Sequence, residues 1–113
     1  MEDMTDLMIY RNFVESVISP HVTEVNMMGW ALLGLGAETG EMEGLAEKAL
    51  RTNQPLNVDK FMDEAGDALY FWMATIIAAG LDPDEVMEYN ISKLSKRKME
   101  GTLLDSTNAS DKN

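Results

Sequence analysis

An all-α fold, a four-helix bundle, is what the 113-residue sequence predicts, and three observations lead there. Apolar residues recur at helical spacing through most of the chain, only three prolines interrupt it, and the breaks between periodic stretches are short. The length is that of one domain, in which roughly two-thirds of the unfolded surface becomes buried. Residues 1–100 are expected to form that helical domain, and residues 101–113, mostly small and polar, a flexible C-terminal tail.

The first helix is expected from about Thr5 to Ser19, because Leu7, Tyr10, Val14, Val17 and Ile18 fall on one stripe and Pro20 ends it. A polar connection to Asn26 holds the single histidine, His21. The second helix runs from Met28 to about Arg51, with Leu32, Leu35, Met42, Leu45 and Ala49 as its apolar face. Five glycines lie within it, Gly29, Gly34, Gly36, Gly40 and Gly44, and each costs up to about 1 kcal/mol relative to alanine. Close approach of another backbone, or of a ligand, is the expected reason. After a loop to Asn57, which serves as cap, the third helix extends from Val58 to about Ala79. It is apolar almost all round from Ala68 to Ile77, so it belongs at the centre. Gly80 closes it. Asp82 as N-cap, Pro83 in the first turn and Glu85 completing a capping box then open a fourth helix that reaches about Lys98.

Composition excludes several classes of function. Without cysteine there are no disulfides and no thiolate metal sites. The acidic start Met1-Glu2-Asp3 lacks the order of a signal peptide, and no apolar run reaches the ~18 residues that cross a bilayer. A cytoplasmic protein with no membrane partner is expected. Twenty acids against nine bases give a net charge of −11, which repels a polyanion, so no nucleic-acid polymer is expected as partner. Ten methionines provide adaptable packing, some of it suited to a subunit interface.

Chemistry concentrates in two segments, Glu38-Thr39-Gly40-Glu41 and Glu64-Ala65-Gly66-Asp67. Each places two acids at i and i+3, one turn apart on one helix face, with a glycine before the second acid that lets a facing helix or an ion come close. Antiparallel packing would converge the two pairs into a four-carboxylate site, where like charges need a cation. Oxygen-only ligands select hard divalent ions, magnesium first and manganese as substitute. A di-iron bundle ordinarily adds a histidine three residues after a glutamate. Here Glu41 and Asp67 stand in those places, and His21 lies in a loop. Acid pairs of this spacing also occur as plain surface charge. Leu32, Leu33 and Leu35 before the first pair and Leu69 to Trp72 after the second set these acids beside buried turns instead.

The pattern Glu38-x2-Glu41, twenty-two residues, then Glu64-x2-Asp67 resembles the signature of the MazG-like all-α nucleotide pyrophosphohydrolases. The stretch from Gly34 to Glu41 is similar to that family's glycine-rich entry to its first acid pair, and Asp63 to Tyr70 to its second. Asn90 to Arg97 is similar to its closing motif, so the likeness covers about Trp30 to Gly101. The resemblance implies that Glu38, Glu41, Glu64 and Asp67 hold magnesium, which grips a nucleoside triphosphate while water attacks the α-phosphorus and pyrophosphate leaves. One of the first pair, Glu41 in preference to Glu38, would also orient or deprotonate the water. It further implies a homodimer or homotetramer and a role in nucleotide-pool control. Two departures stand out. Lys98-Met99-Glu100-Gly101 replaces an aromatic and a proline common in relatives, and Thr39 replaces a small apolar residue.

Bases and aromatics complete the expected site. Lys48, seven residues after Glu41, and Lys60, four before Glu64, share the acidic faces, either as phosphate ligands or in ordinary intrahelical ion pairs. Asn90, Lys93 and Arg97, at i, i+3 and i+7, form a stripe able to clamp phosphate oxygens and meet the sugar. Trp30 and Tyr70 are the candidates to stack on a nucleobase, with core packing the alternative for Tyr70. Two other outcomes stay open: a relative that binds metal or nucleotide without turnover, and an acidic helical adaptor.

Overall fold

The computed structural model describes residues 3–101; the start Met1-Glu2 and the expected tail from residue 102 onward lie outside the described residues. Among the described residues there are four helices and no strand: α1 (Asp6–Val17), α2 (Met27–Thr52), α3 (Val58–Ala78) and α4 (Pro83–Met99). No helix among them is long and apolar enough to cross a membrane.

Local chemistry sets the ends. Thr5 accepts the Met8 amide at 3.2 Å and starts α1. That helix stops before the expected Ser19: Ile18 is already in extended backbone, and Pro20 disfavours helical geometry at Ser19. At the end of α2, Asn53 takes left-handed backbone (φ 52°) and returns its amide to the Ala49 and Leu50 carbonyls. Asn57 caps α3 by accepting the Lys60 amide at 3.1 Å, and Gly80 (φ 69°) follows its end. Asp82 accepts the Asp84 amide at 2.8 Å and so caps α4 through the second residue of the helix. The capping box expected with Glu85 needs the third, so it does not form.

The most extensive contact joins α2 to α3. They run antiparallel: Gly34 meets Phe71 while Glu38, one turn later, meets Glu64 and Asp67. A methyl group on Gly34 would fall inside the Phe71 ring. The close-approach explanation for the α2 glycines therefore holds at Gly34. Around Gly29, Gly36, Gly40 and Gly44, and around Gly66 in α3, nothing lies within 4 Å of where a side chain would begin.

The central position of α3 follows from its apolar girth: Ala68, Met73, Ala74 and Ile76 are buried between α2 on one side and α1 on another. Val14 of α1 seals this core with Met73 and Ile76, and Leu7, Tyr10, Ile18, Tyr70, Trp72, Ile77 and Val86 pack around them. α4 is mostly polar and packs on α1, tied at its start by the Thr5 hydroxyl, which donates to Asp84 at 2.6 Å. It does not lie against α2, so within one chain the expected four-helix arrangement is open on that side.

Candidate metal centre

Helix register brings the acids together. Glu38 lies one turn after Gly34 on the side of α2 that faces α3, and Glu64 lies two turns before Phe71 on the side that faces back. Carboxylate oxygens of Glu38, Glu64 and Asp67 all lie within 4.8 Å of one another, Glu38 and Glu64 half-buried and Asp67 exposed. Glu41 is not in this group. Its side chain is exposed, one turn beyond Glu38 on the rim of α2, so the expected quartet is a triad in this chain. Glu64 and Asp67 have the same three-residue spacing and both join the group, so it is the packing of α3 against α2, not the spacing, that leaves Glu41 out.

Electrostatics records the crowding. A hydrogen bond to Glu38 raises the Glu64 pKa, and burial and the charges of Glu38, Asp63 and Asp67 push it the same way. Every neighbour acting on Glu64 is an acid; no lysine or arginine offsets them. Three oxygens at this spacing, without nitrogen or sulfur, suit a hard divalent cation.

The expected bases are placed differently from one another. Lys48 and Lys60 take part in no ion pair among the described residues, so the intrahelical pairing considered for them is not made. Both side chains are exposed. Asn90, Lys93 and Arg97 share one side of α4 with Val86, Lys93 and Arg97 being half-buried there. The helix that carries this stripe packs chiefly on α1.

Trp30 and Tyr70 meet edge to face, with centroids 6.1 Å apart, and both touch Phe71 at 5.3 and 5.1 Å. All three are half-buried, so Trp30 and Tyr70 form an aromatic wall one turn from Asp67, braced by the Phe71 ring.

Tyr10 was not among the residues picked out from the sequence. Burial raises its pKa first, followed by the nearby Tyr70 hydroxyl and the Asp67 carboxylate, and burial raises that of Tyr70 as well. Its place on the apolar stripe of α1 was legible; that this stripe faces the Asp67–Tyr70 side of α3 was not. Thr39, between the two acids of α2, donates its hydroxyl to the Leu35 and Gly36 carbonyls at 3.0 Å each and is thus satisfied within its own helix.

Set against protein-family models, curated proteins and solved structures, the chain matches none.

Proposed function

We propose that this protein is a MazG-like, magnesium-dependent nucleoside triphosphate pyrophosphohydrolase that cleaves the α–β phosphate bond to give a monophosphate and pyrophosphate. The observation that supports this most is the convergence of Glu38, Glu64 and Asp67 from two antiparallel helices onto a space of ion size. Manganese is the expected substitute for magnesium.

In this reading Glu38, Glu64 and Asp67 hold the ion, and Glu41, on the rim beside them, orients the attacking water and takes its proton. When bound, magnesium neutralises charge on the phosphates and lowers the pKa of water it carries. Lys48 and Lys60, both uncommitted to ion pairs among the described residues, are available for phosphate oxygens, and the Trp30–Tyr70 wall for the base. Asn90, Lys93 and Arg97, on one side of α4, are the residues that would close over the nucleotide. Assembly as a homodimer or homotetramer, a cytoplasmic setting and a role in nucleotide-pool control belong to the same proposal.

The test is a panel of nucleoside triphosphates incubated with magnesium, with pyrophosphate and orthophosphate measured separately. Pyrophosphate formed in step with monophosphate, and lost in Glu64→Gln, is the expected result. Orthophosphate release would replace the proposal with another phosphohydrolase chemistry. Magnesium-dependent stabilisation without any product would identify a metal-binding relative without turnover.

A further inference from the structure

Helix α1 lies ahead of the segments that carry the resemblance, Trp30 to Gly101, and the functional reading so far gives it no part. It nevertheless brings a polar aromatic to the core. Tyr10 is half-buried and packs on the Val14–Met73–Ile76 cluster, as Tyr70 of α3 does. Phe13, stacked beside Tyr10 at 6.4 Å, is 58% exposed, so this part of α1 stands where the core meets the surface.

Ring packing accounts for only part of Tyr10, since a phenylalanine would fill the same space. The phenol adds a hydroxyl that both donates and accepts, a group that ordinarily finds a polar partner at the edge of a core. Register says which edge. Tyr10 precedes Val14 by four residues and Tyr70 precedes Met73 by three, so each stands one turn before the cluster on its own helix. Asp67 is one turn earlier again on α3. The Tyr70 hydroxyl and the Asp67 charge both act on the Tyr10 phenol, in agreement with that placement.

A nucleoside triphosphate has three parts to place. Its phosphates go to the ion held by Glu38, Glu64 and Asp67, and its base to the Trp30–Tyr70 wall, whose rings meet at 6.1 Å. The sugar falls between, over the stretch from Asp67 to Tyr70, about 4.5 Å along α3. An uncharged hydroxyl suits that place, because another carboxylate would repel the phosphates and a lysine would be drawn to the acids. The Thr39 hydroxyl is satisfied within α2 by the Leu35 and Gly36 carbonyls, at 3.0 Å each. Tyr70 has its ring committed edge to face with Trp30 and Phe71. Tyr10 brings a second phenol to the same level from another helix.

We propose that the Tyr10 hydroxyl holds a hydroxyl of the nucleotide sugar, so that α1 forms a third wall of the site beside α2 and α3. This rests on the functional reading above and names the residue that recognises the sugar.

The test compares the chain with Tyr10→Phe, which keeps the ring on the Val14–Met73 core and removes one oxygen; circular dichroism should be unchanged. Calorimetric titrations in magnesium use the α,β-imido analogues of ribo-, 2′-deoxy- and 2′,3′-dideoxynucleoside triphosphates, which bind without being cleaved. The unsubstituted chain should favour a hydroxyl-bearing sugar over the dideoxy sugar by about 10-fold, the worth of one hydrogen bond. Tyr10→Phe should abolish that preference and bind the dideoxy analogue as before. With cleavable substrates, KM should rise by the same factor while kcat is nearly kept. No preference in the unsubstituted chain, an equal loss for all three sugars, or a preference that survives Tyr10→Phe would overturn the proposal. The expected binding pattern without any pyrophosphate from cleavable triphosphates would count against the enzyme reading alone. Failure of every analogue to bind would overturn both.

Discussion

The ring of Phe71 fills the space that a side chain on Gly34 would require, and this contact fixes how closely α2 and α3 approach. The other four α2 glycines expected to permit a close approach, Gly29, Gly36, Gly40 and Gly44, have open space around them. Gly34→Ala should therefore lower stability by about 1–3 kcal/mol through overpacking. Gly44→Ala should instead raise it by roughly 0.5–1 kcal/mol through helix propensity. Thermal melts of the two variants read the difference in sign.

Magnesium should stabilise the folded chain by mass action, by about 2.7 kcal/mol at a concentration one hundred times its dissociation constant. Glu38→Gln, Glu64→Gln and Asp67→Asn should each weaken magnesium binding by at least ~10-fold. Glu41→Gln, outside the triad, should leave magnesium affinity within a few-fold while abolishing turnover. Calorimetric titration with magnesium, beside pyrophosphate release, separates the two roles. Equal loss of affinity in Glu41→Gln would place that residue among the ligands instead.

The metal-free chain should lose stability as pH rises through the carboxylate range. Glu64 keeps its proton in the folded state above its ordinary value of 4.5, held by the hydrogen bond to Glu38. Folded chain then binds more protons than unfolded chain between that ordinary value and the raised one. Stability is greatest below this window and falls on passing up through it. In Glu64→Gln that part of the slope should vanish, and saturating magnesium should reverse it by competing with the proton. Melting temperature against pH, with and without magnesium, is the measurement.

Tyr10 offers an optical readout of the same site. Its phenol ionises above the ordinary 10.0 because of burial, Tyr70 and the negative charge of Asp67. A cation held by Asp67 cancels the last of these, so magnesium should lower the alkaline titration midpoint of Tyr10, and Asp67→Asn should do so without magnesium. An absorbance titration of the Tyr70→Phe, Tyr89→Phe double variant, which leaves Tyr10 as the one phenol, isolates the change. A midpoint unmoved by either would separate Tyr10 from the carboxylates.

Most of the helix ends were legible because they depend on neighbours in sequence. Thr5, Asn57 and Asp82 each cap within three residues, and Pro20, by restricting Ser19, bars α1 from running on by the same kind of local rule. The acid triad was legible too, since Glu38, Glu64 and Asp67 follow from register once α2 and α3 are taken as antiparallel. Glu41 was harder to place. Spacing of i and i+3 puts two acids on neighbouring turns, but whether both reach a facing helix depends on the azimuth at which that helix packs.

By itself the sequence determined four helices, their caps and the pairing of acids on α2 and α3, all set by interactions over one or two turns. Tertiary structure alone decided that Gly34 is the glycine Phe71 needs, that Tyr10 packs with Tyr70 on one core, and that α4 packs on α1. Those outcomes depend on which side chains fit between helices distant in sequence, and helical periodicity names a face without naming its neighbour.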